Sequence, residues 1–229
     1  MIEGLNVYEV LRNLEMAESR EKRLKLLRGI KTGLFATKVI NLSKSAVIAF
    51  DLSHTAGLLI EMEVRDLISD VENDNYVVIN DDEEPDRKPG YSYARQSKKL
   101  YNVLKTHDDP IEINPTEFKN FVKFIRSWRV GKGGAFLKIR ENEVYIDDCI
   151  CNWMWDGISE KFRFTRPITS AINIYDLKPI KLLFRHISIH DIRNAYFTVK
   201  CDPNEGIGVL GIHFDLRFAR CHLFLAPKR

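Results

Sequence analysis

What most narrows the choice of fold is a hydrophobic period that changes repeatedly along the chain. Four segments place apolar residues every three or four positions, the spacing of a helix with one buried face, and carry lysines and arginines on the other side. The first covers about 19–34, with Leu24, Leu27, Ile30 and Leu34 inward and Lys22, Lys25 and Arg28 projecting elsewhere. Ser19 is its expected N-cap, Lys22 three places on leaves the capping box incomplete, and Gly29 and Gly33 weaken its far end. The second, about 94–106, sets Leu100, Val103 and Leu104 against Arg95, Lys98, Lys99 and Lys105 and is the least regular. The third starts after Pro115 with Thr116 as expected cap; Phe118, Phe121, Val122, Ile125 and Trp128 share one face, and Lys119, Lys123 and Arg126 the other. The fourth is capped by Asp176 and tolerates Pro179, because a first-turn proline loses no helical hydrogen bond. It aligns Leu177, Ile180, Leu183, Phe184 and Ile187 against Lys178, Lys181 and Arg185.

Between these helices the period drops to two or to short β-branched runs, which predicts strands over about 37–41, 46–50, 57–64, 76–79, 135–140, 143–146, 161–165, 170–174, 195–201, 208–214 and 221–225. Turn sequences at 140–143 and 202–206 make the pairing largely antiparallel. The expectation is an α+β fold rather than a doubly wound parallel sheet. A basic helix followed by antiparallel strands recurs over 116–167 and again over 170–228.

The length of 229 residues allows one large domain or two small ones, and 45% apolar content is enough for a normal core. The chain has no apolar run of about eighteen residues and no leader-like start, so it is expected to be soluble and intracellular, nuclear in a eukaryote and cytoplasmic in an archaeon or in the host cell of a virus. No membrane partner is expected. Cys149, Cys151, Cys201 and Cys221 are too few and too irregular for a disulfide framework, and read as reduced core thiols. His190, His213 and His222 stand at no familiar ligand spacing from them, so neither a metal nor another cofactor is expected.

The net charge is only +3, but its distribution is uneven. Residues 70–86 carry eight carboxylates and no basic residue, an acidic block expected to be exposed. A basic stripe on one helix is commonly there for solubility. Four such stripes acquire a purpose if they converge on one polyanion.

Two local sequences then bear on identity. The stretch Val47-Ile48-Ala49-Phe50-Asp51-Leu52-Ser53-His54-Thr55-Ala56-Gly57-Leu58-Leu59-Ile60 is similar to the strand, Met-Asp-Ser-Ser-His or Met-Asp-Pro-Ser-Arg loop and strand of the sliding clamps related to proliferating cell nuclear antigen. The ending Leu223-Phe224-Leu225-Ala226-Pro227-Lys228 resembles that family's Tyr-Leu-Ala-Pro-Lys, and Glu117-Phe118 opens a helix as in its second domain. The resemblance covers about 34–64 and 116–229. It fails over about 65–114, and the sequence pI of 8.6 departs from the usual acidic balance of the family.

The resemblance implies two clamp-like domains forming part of a ring: 1–113, reduced or rearranged over 65–113 and containing the acidic segment 70–86, and 114–229. It implies no catalysis. Double-stranded DNA would be held loosely by Lys22, Lys25, Arg28, Lys98, Lys119, Lys123, Arg126, Lys178, Lys181 and Arg185. DNA polymerase or other replication and repair proteins would dock short peptides at Phe50, His54, Thr55, Gly57, Phe224, Ala226 and Pro227. Self-association, a trimeric ring in the family, and a clamp loader would complete the set of partners.

Two other readings stay open. The same basic helices would suit a nucleic-acid-binding protein that forms no ring, and Asp147, Asp148 and the 81–84 carboxylates could serve a magnesium-dependent nuclease. Gly131-Lys132-Gly133-Gly134 lacks phosphate-loop spacing and reads as a turn. Ser188, His190 and Asp191 are too close in sequence to form a relay by proximity alone. Trp153 and Trp155 share one side of a strand, where packing is commoner than base stacking.

Overall fold

In the computed structural model, the described residues are 7–30, 35–51, 55–80, 110–128, 136–147, 160–201 and 208–227. The first described segment, without proline and with its first glycine at Gly29, forms one unbroken 24-residue helix, α1 (Val7–Ile30). Ser19 therefore lies inside the helix and does not cap it. Good helix formers flank it on both sides, and Glu9 in the first turn and Arg28 in the last suit the helix dipole, which outweighs serine's preference for a cap. Leu24, Leu26, Leu27 and Ile30 are buried, whereas Tyr8, Leu11, Leu14 and Met16 are exposed.

Strands β1 (Phe35–Asn41), β2 (Ala46–Asp51) and β3 (Ala56–Glu61) form an antiparallel meander. A short helix, α2 (Ile68–Val71), then leads through a 3-10 turn to β4 (Val77–Ile79), which pairs in parallel with β1. This is the only parallel pairing among the described residues. The acidic block is not uniformly exposed: Asp74 is buried, and its carbonyl accepts from Lys38 Nζ at 2.6 Å. The block from residue 81 onwards and the expected helix at 94–106 lie outside the described residues.

Strand β5 (Ile111–Ile113), too short to announce itself by period, precedes α3 (Pro115–Ser127). The α3 cap is Asn114 rather than Thr116: its Oδ1 accepts from Thr116 N at 2.9 Å, and Pro115 takes the position where a missing N–H costs nothing. There follow β6 (Phe136–Glu141), β7 (Glu143–Asp147), β8 (Glu160–Arg163) and β9 (Thr169–Asp176). Helix α4 (Leu177–Arg185) starts as expected, with Asp176 accepting from Lys178 N at 2.8 Å and Pro179 in the first turn. The chain ends in the meander β10 (Ile192–Cys201), β11 (Gly208–Leu216) and β12 (Arg220–Leu225).

The fold is α+β. An eight-stranded sheet runs β4-β1-β2-β3-β12-β11-β10-β5, and a four-stranded sheet runs β8-β7-β6-β9. The large sheet joins the two ends of the chain, because β3 pairs antiparallel with β12 from Ala56↔Leu225 to Glu61↔Arg220. The strand just before residue 114, β5, pairs with β10.

The main core lies between the helices and the inner faces of both sheets. There Phe118 of α3 sits 5.6 Å from Phe214 and 6.1 Å from Phe197, and Phe184 of α4 sits 5.9 Å from Phe118, measured between ring centroids. Burial of each such ring contributes roughly 1.5–3 kcal/mol. Alternation along the strands puts a second set, Val39, Ile48, Leu59 and Phe224, in a separate buried cluster.

Candidate nucleic-acid interface

Three of the basic helices lie side by side, with α4 in contact with both α1 and α3. The α1–α4 crossing is set by Gly29, where an added Cβ would stand 2.3 Å from Cγ of His186. The glycine that lowers helix propensity is thus what lets the two helices meet. The α3–α4 contact is set by Arg126, whose Nε donates to Phe184 O at 2.7 Å and whose Nη2 donates to Phe184 O and Ile187 O, satisfying carbonyls at the end of α4.

The sides of these helices turned from the core carry the cations. Lys25 and Arg28 of α1, Lys123 of α3, and Lys178 and Arg185 of α4 are exposed; Lys119 and Lys181 are half-buried. Their convergence is felt electrostatically. Burial, then Arg185 and Lys25, push the His186 imidazole below its usual pKa, and burial followed by Arg185 lowers that of Lys181. Cations from α1 and α4 therefore share one field.

Two predicted contacts have other tasks. Lys22 bridges Glu18 at 2.6 Å and the buried Asp191 at 3.1 Å, and Arg126 is committed to the α4 carbonyls. Lys98 lies outside the described residues. The longer α1 also carries Glu9, Glu15 and Glu18, which precede the predicted start at 19.

The proposed peptide site is assembled from both ends of the chain. Phe50 pairs with Gly57, Gly57 pairs with Phe224, and Ala226 N donates to Thr55 O at 2.7 Å. Asp51 holds the turn by accepting from Thr55 Oγ1 at 2.5 Å and Ala56 N at 3.0 Å. Phe50, Ala226 and Pro227 are half-buried and Thr55 is exposed, but Phe224 is only 5% exposed and packs into the second cluster. His54 lies outside the described residues.

Sequence reasoning missed two polar clusters. Arg23, only 8% exposed, forms a two-pronged contact with Asp66 at 2.7 and 2.8 Å and also donates to Glu63 O. Its signal was a charged residue beside Leu24 on the core side of α1. The second cluster is a hydrogen-bonded chain across the large sheet. Thr198 Oγ1 lies 2.8 Å from His213 Nε2, His213 Nδ1 lies 2.8 Å from His222 Nδ1, and His222 Nε2 lies 3.2 Å from the Glu61 carboxylate. Glu61 is held below the usual carboxylate range mainly by its bond to His222. The link from His222 to Glu61 crosses the β12–β3 pairing that joins the chain's two ends. No periodicity pairs residues so distant in sequence.

The residues considered for catalysis are scattered. Ser188 Oγ accepts from His190 N at 3.3 Å, while Asp191 faces Lys22, so no relay forms. Asp147 ends β7; Asp148, the 81–84 carboxylates, Gly131-Lys132-Gly133-Gly134, Trp153, Trp155, Cys149 and Cys151 lie outside the described residues. Burial pushes the Cys221 thiol well above its usual pKa, so it remains protonated. Among the described residues, no group of three or more His, Cys, Asp or Glu side chains could hold a metal ion.

No protein-family model matches the sequence, and no curated protein matches it. Among solved structures the chain is similar to the PCNA2–PCNA3 complex from Sulfolobus tokodaii, at 10% identity and a TM-score of 0.49, over 93% of this chain and 96% of that chain. It is also similar to proliferating cellular nuclear antigen from Entamoeba histolytica, at 14% identity and 0.43, over 90% and 94% of the two chains. A third similarity is to the A. fulgidus PCNA bound to the C-terminal region of FEN-1, at 12% identity and 0.46, over 91% and 96%.

Proposed function

We propose that this chain is one subunit of a DNA sliding clamp, a non-enzymatic intracellular ring that surrounds duplex DNA and tethers replication or repair proteins. The observation that carries this reading is the row α1–α4–α3. Its three helices bury their apolar sides together and turn Lys25, Arg28, Lys119, Lys123, Lys178, Lys181 and Arg185 away from the core. Units 1–113 and 114–229 are the two clamp-like halves, and other copies of the chain close the ring.

These cations suit sliding for a physical reason. Lysine and arginine on a helix surface attract phosphate without reading bases, and salt screens the attraction. Such a surface holds DNA nearby without fixing it at one place. Lys22 and Arg126 support it indirectly, by holding α1 and α4 in position.

Partner proteins dock short peptides beside the joined chain ends, using Phe50, Thr55, Gly57, Ala226 and Pro227, with Phe224 forming the floor. An extended peptide with an aromatic anchor fits such a place, where Phe50, Ala226 and Pro227 stay partly exposed beside one another.

Solution mass combined with negative-stain imaging of the DNA-free protein tests the ring. A symmetric oligomer with a central hole wide enough for a duplex is expected. A monomer that binds linear and circular duplexes equally would overturn the ring and leave an open basic surface.

A further inference from the structure

Helix α1 is built of two halves whose apolar sides point in opposite directions. The second half buries Leu24, Leu26, Leu27 and Ile30, with Arg23 beside them. In the first half, residues 8–18, every residue is exposed except the half-buried Val10, and Leu11 and Leu14 are 53% and 61% exposed. Arg23 and Ile30 follow Leu14 by about two and a half and four and a half helical turns, which puts them on the opposite side of the helix. The leucines of the first half therefore face away from the core that holds the second.

Alternating steps of three and four place Leu11, Leu14, Glu18, Glu21, Lys25 and Arg28 in one line along α1. That line is apolar, then acidic, then basic. Val10 and Ala17 border Leu14 on one flank and Glu15 on the other. Glu15 and Glu21 are exposed and form no ion pair, while Glu18 pairs with Lys22, which is itself divided between Glu18 and Asp191. Arg12, the only cation between Tyr8 and Glu18, stands about 160° round the helix from Leu14. A helix exposed on all sides is ordinarily polar on all sides, and about three turns alone are marginally stable in water. Phosphate would be repelled by Glu15, Glu18 and Glu21, so DNA is the wrong occupant for this stretch.

We propose that the first half of α1 is a docking helix for a partner protein, and that its occupant is an amphipathic helix with a leucine-rich side bordered by lysine or arginine. The apolar side of such a helix covers Val10, Leu11, Leu14 and Ala17, and its cations meet Glu15, Glu18 and Glu21. A second copy of α1 does not supply this match. Paired in parallel, it sets each of the three carboxylates beside its own copy. Paired antiparallel with Leu11 against Leu14, it brings Val10, Val7 and Gly4 opposite them, and none of these is a cation. The site does not rest on the ring reading, because neither Leu11 nor Leu14 belongs to the residues assigned to DNA or to peptide docking.

The test is fluorescence polarisation of full-length protein with a labelled three-heptad peptide that carries leucine at its a and d positions and lysine at e and g. The same peptide with glutamate in place of lysine is the control, and it is expected to bind at least about tenfold more weakly. Leu11→Gln with Leu14→Gln, which keeps helix propensity, is expected to weaken lysine-peptide binding at least about tenfold. The melting point and duplex binding should not change, because both side chains lie outside the core. Glu15→Gln with Glu21→Gln is expected to weaken the same binding and flatten its salt dependence. The proposal is overturned if the lysine peptide does not bind the parent, if both peptides bind it equally, or if the leucine variant binds like the parent. A lower melting point in the leucine variant would also overturn it, by placing those side chains in the core. So would a parent oligomer that the leucine variant loses, since the occupant would then be a second copy. A monomeric parent that binds the lysine peptide upholds the site and removes the ring.

Discussion

Gly29→Ala has an effect whose sign depends on the tertiary structure. In a solvated helix, alanine for glycine stabilises by about 1 kcal/mol. In this fold the new Cβ would meet His186 Cγ at 2.3 Å, Cδ2 at 2.4 Å and Cβ at 2.7 Å, so reaching the 3.4 Å of ordinary contact requires α4 to retreat by about 1.1 Å. The clashing atoms include Cβ, so rotating the imidazole cannot clear them all. Moreover, α4 is fixed on its other side by Arg126 and by Phe184 in the core. Overpacking of this kind costs up to about 3 kcal/mol, which less the propensity gain leaves a net loss of about 2 kcal/mol. For a chain of this length that corresponds to a melting point lower by roughly 4–8 °C. The assay is a double-mutant cycle with His186→Gly, followed by urea and thermal denaturation. In the His186→Gly background the obstruction is gone and Gly29→Ala should stabilise by about 1 kcal/mol, giving a coupling of about 3 kcal/mol. A stabilising Gly29→Ala in the parent chain would refute the close crossing, and with it the alignment of Lys25 beside Arg185.

Acid should weaken the fold in the histidine range. Burial, then Arg185 and Lys25, hold the folded His186 below its ordinary pKa, so the unfolded chain takes up that proton first and stability falls as the pH drops from about 6.5 toward the folded value. Glu61, held low mainly by its bond to His222, contributes stability above the ordinary carboxylate pKa that is lost as pH falls through its folded value. A urea midpoint unchanged between pH 7 and 5.5 would contradict this. Arg126→Met should destabilise by about 1–3 kcal/mol by leaving the Phe184 and Ile187 carbonyls without their donor. Arg185→Gln should leave the melting point alone and reduce the duplex salt slope by about one; if the two variants exchange these phenotypes, the assignment of support to Arg126 and DNA contact to Arg185 fails. Glu141→Gly should stabilise by about 1 kcal/mol, because Glu141 turns between β6 and β7 with φ of 53°, where a Cβ is strained; a lower melting point would show that its side chain compensates.

The sequence by itself determined the elements and their buried sides. Phe118, Phe121, Val122 and Ile125 announced the inner face of α3, Asp176 the start of α4, and period-two runs the strands to within a few residues, because local spacing reports which side of an element meets the core. It could not set the length of α1, since Ser19 has a cap's chemistry but no local reason to end a helix there. It also could not separate Arg126 from Arg185. Both occupy basic stripes, yet one spends its donors on α4 carbonyls and the other faces solvent. Only the tertiary structure decided that β3 joins β12, bringing Thr55 to Ala226 and Glu61 to His222. Period fixes the direction of a side chain, whereas its partner is chosen by strand register and helix crossing across most of the chain.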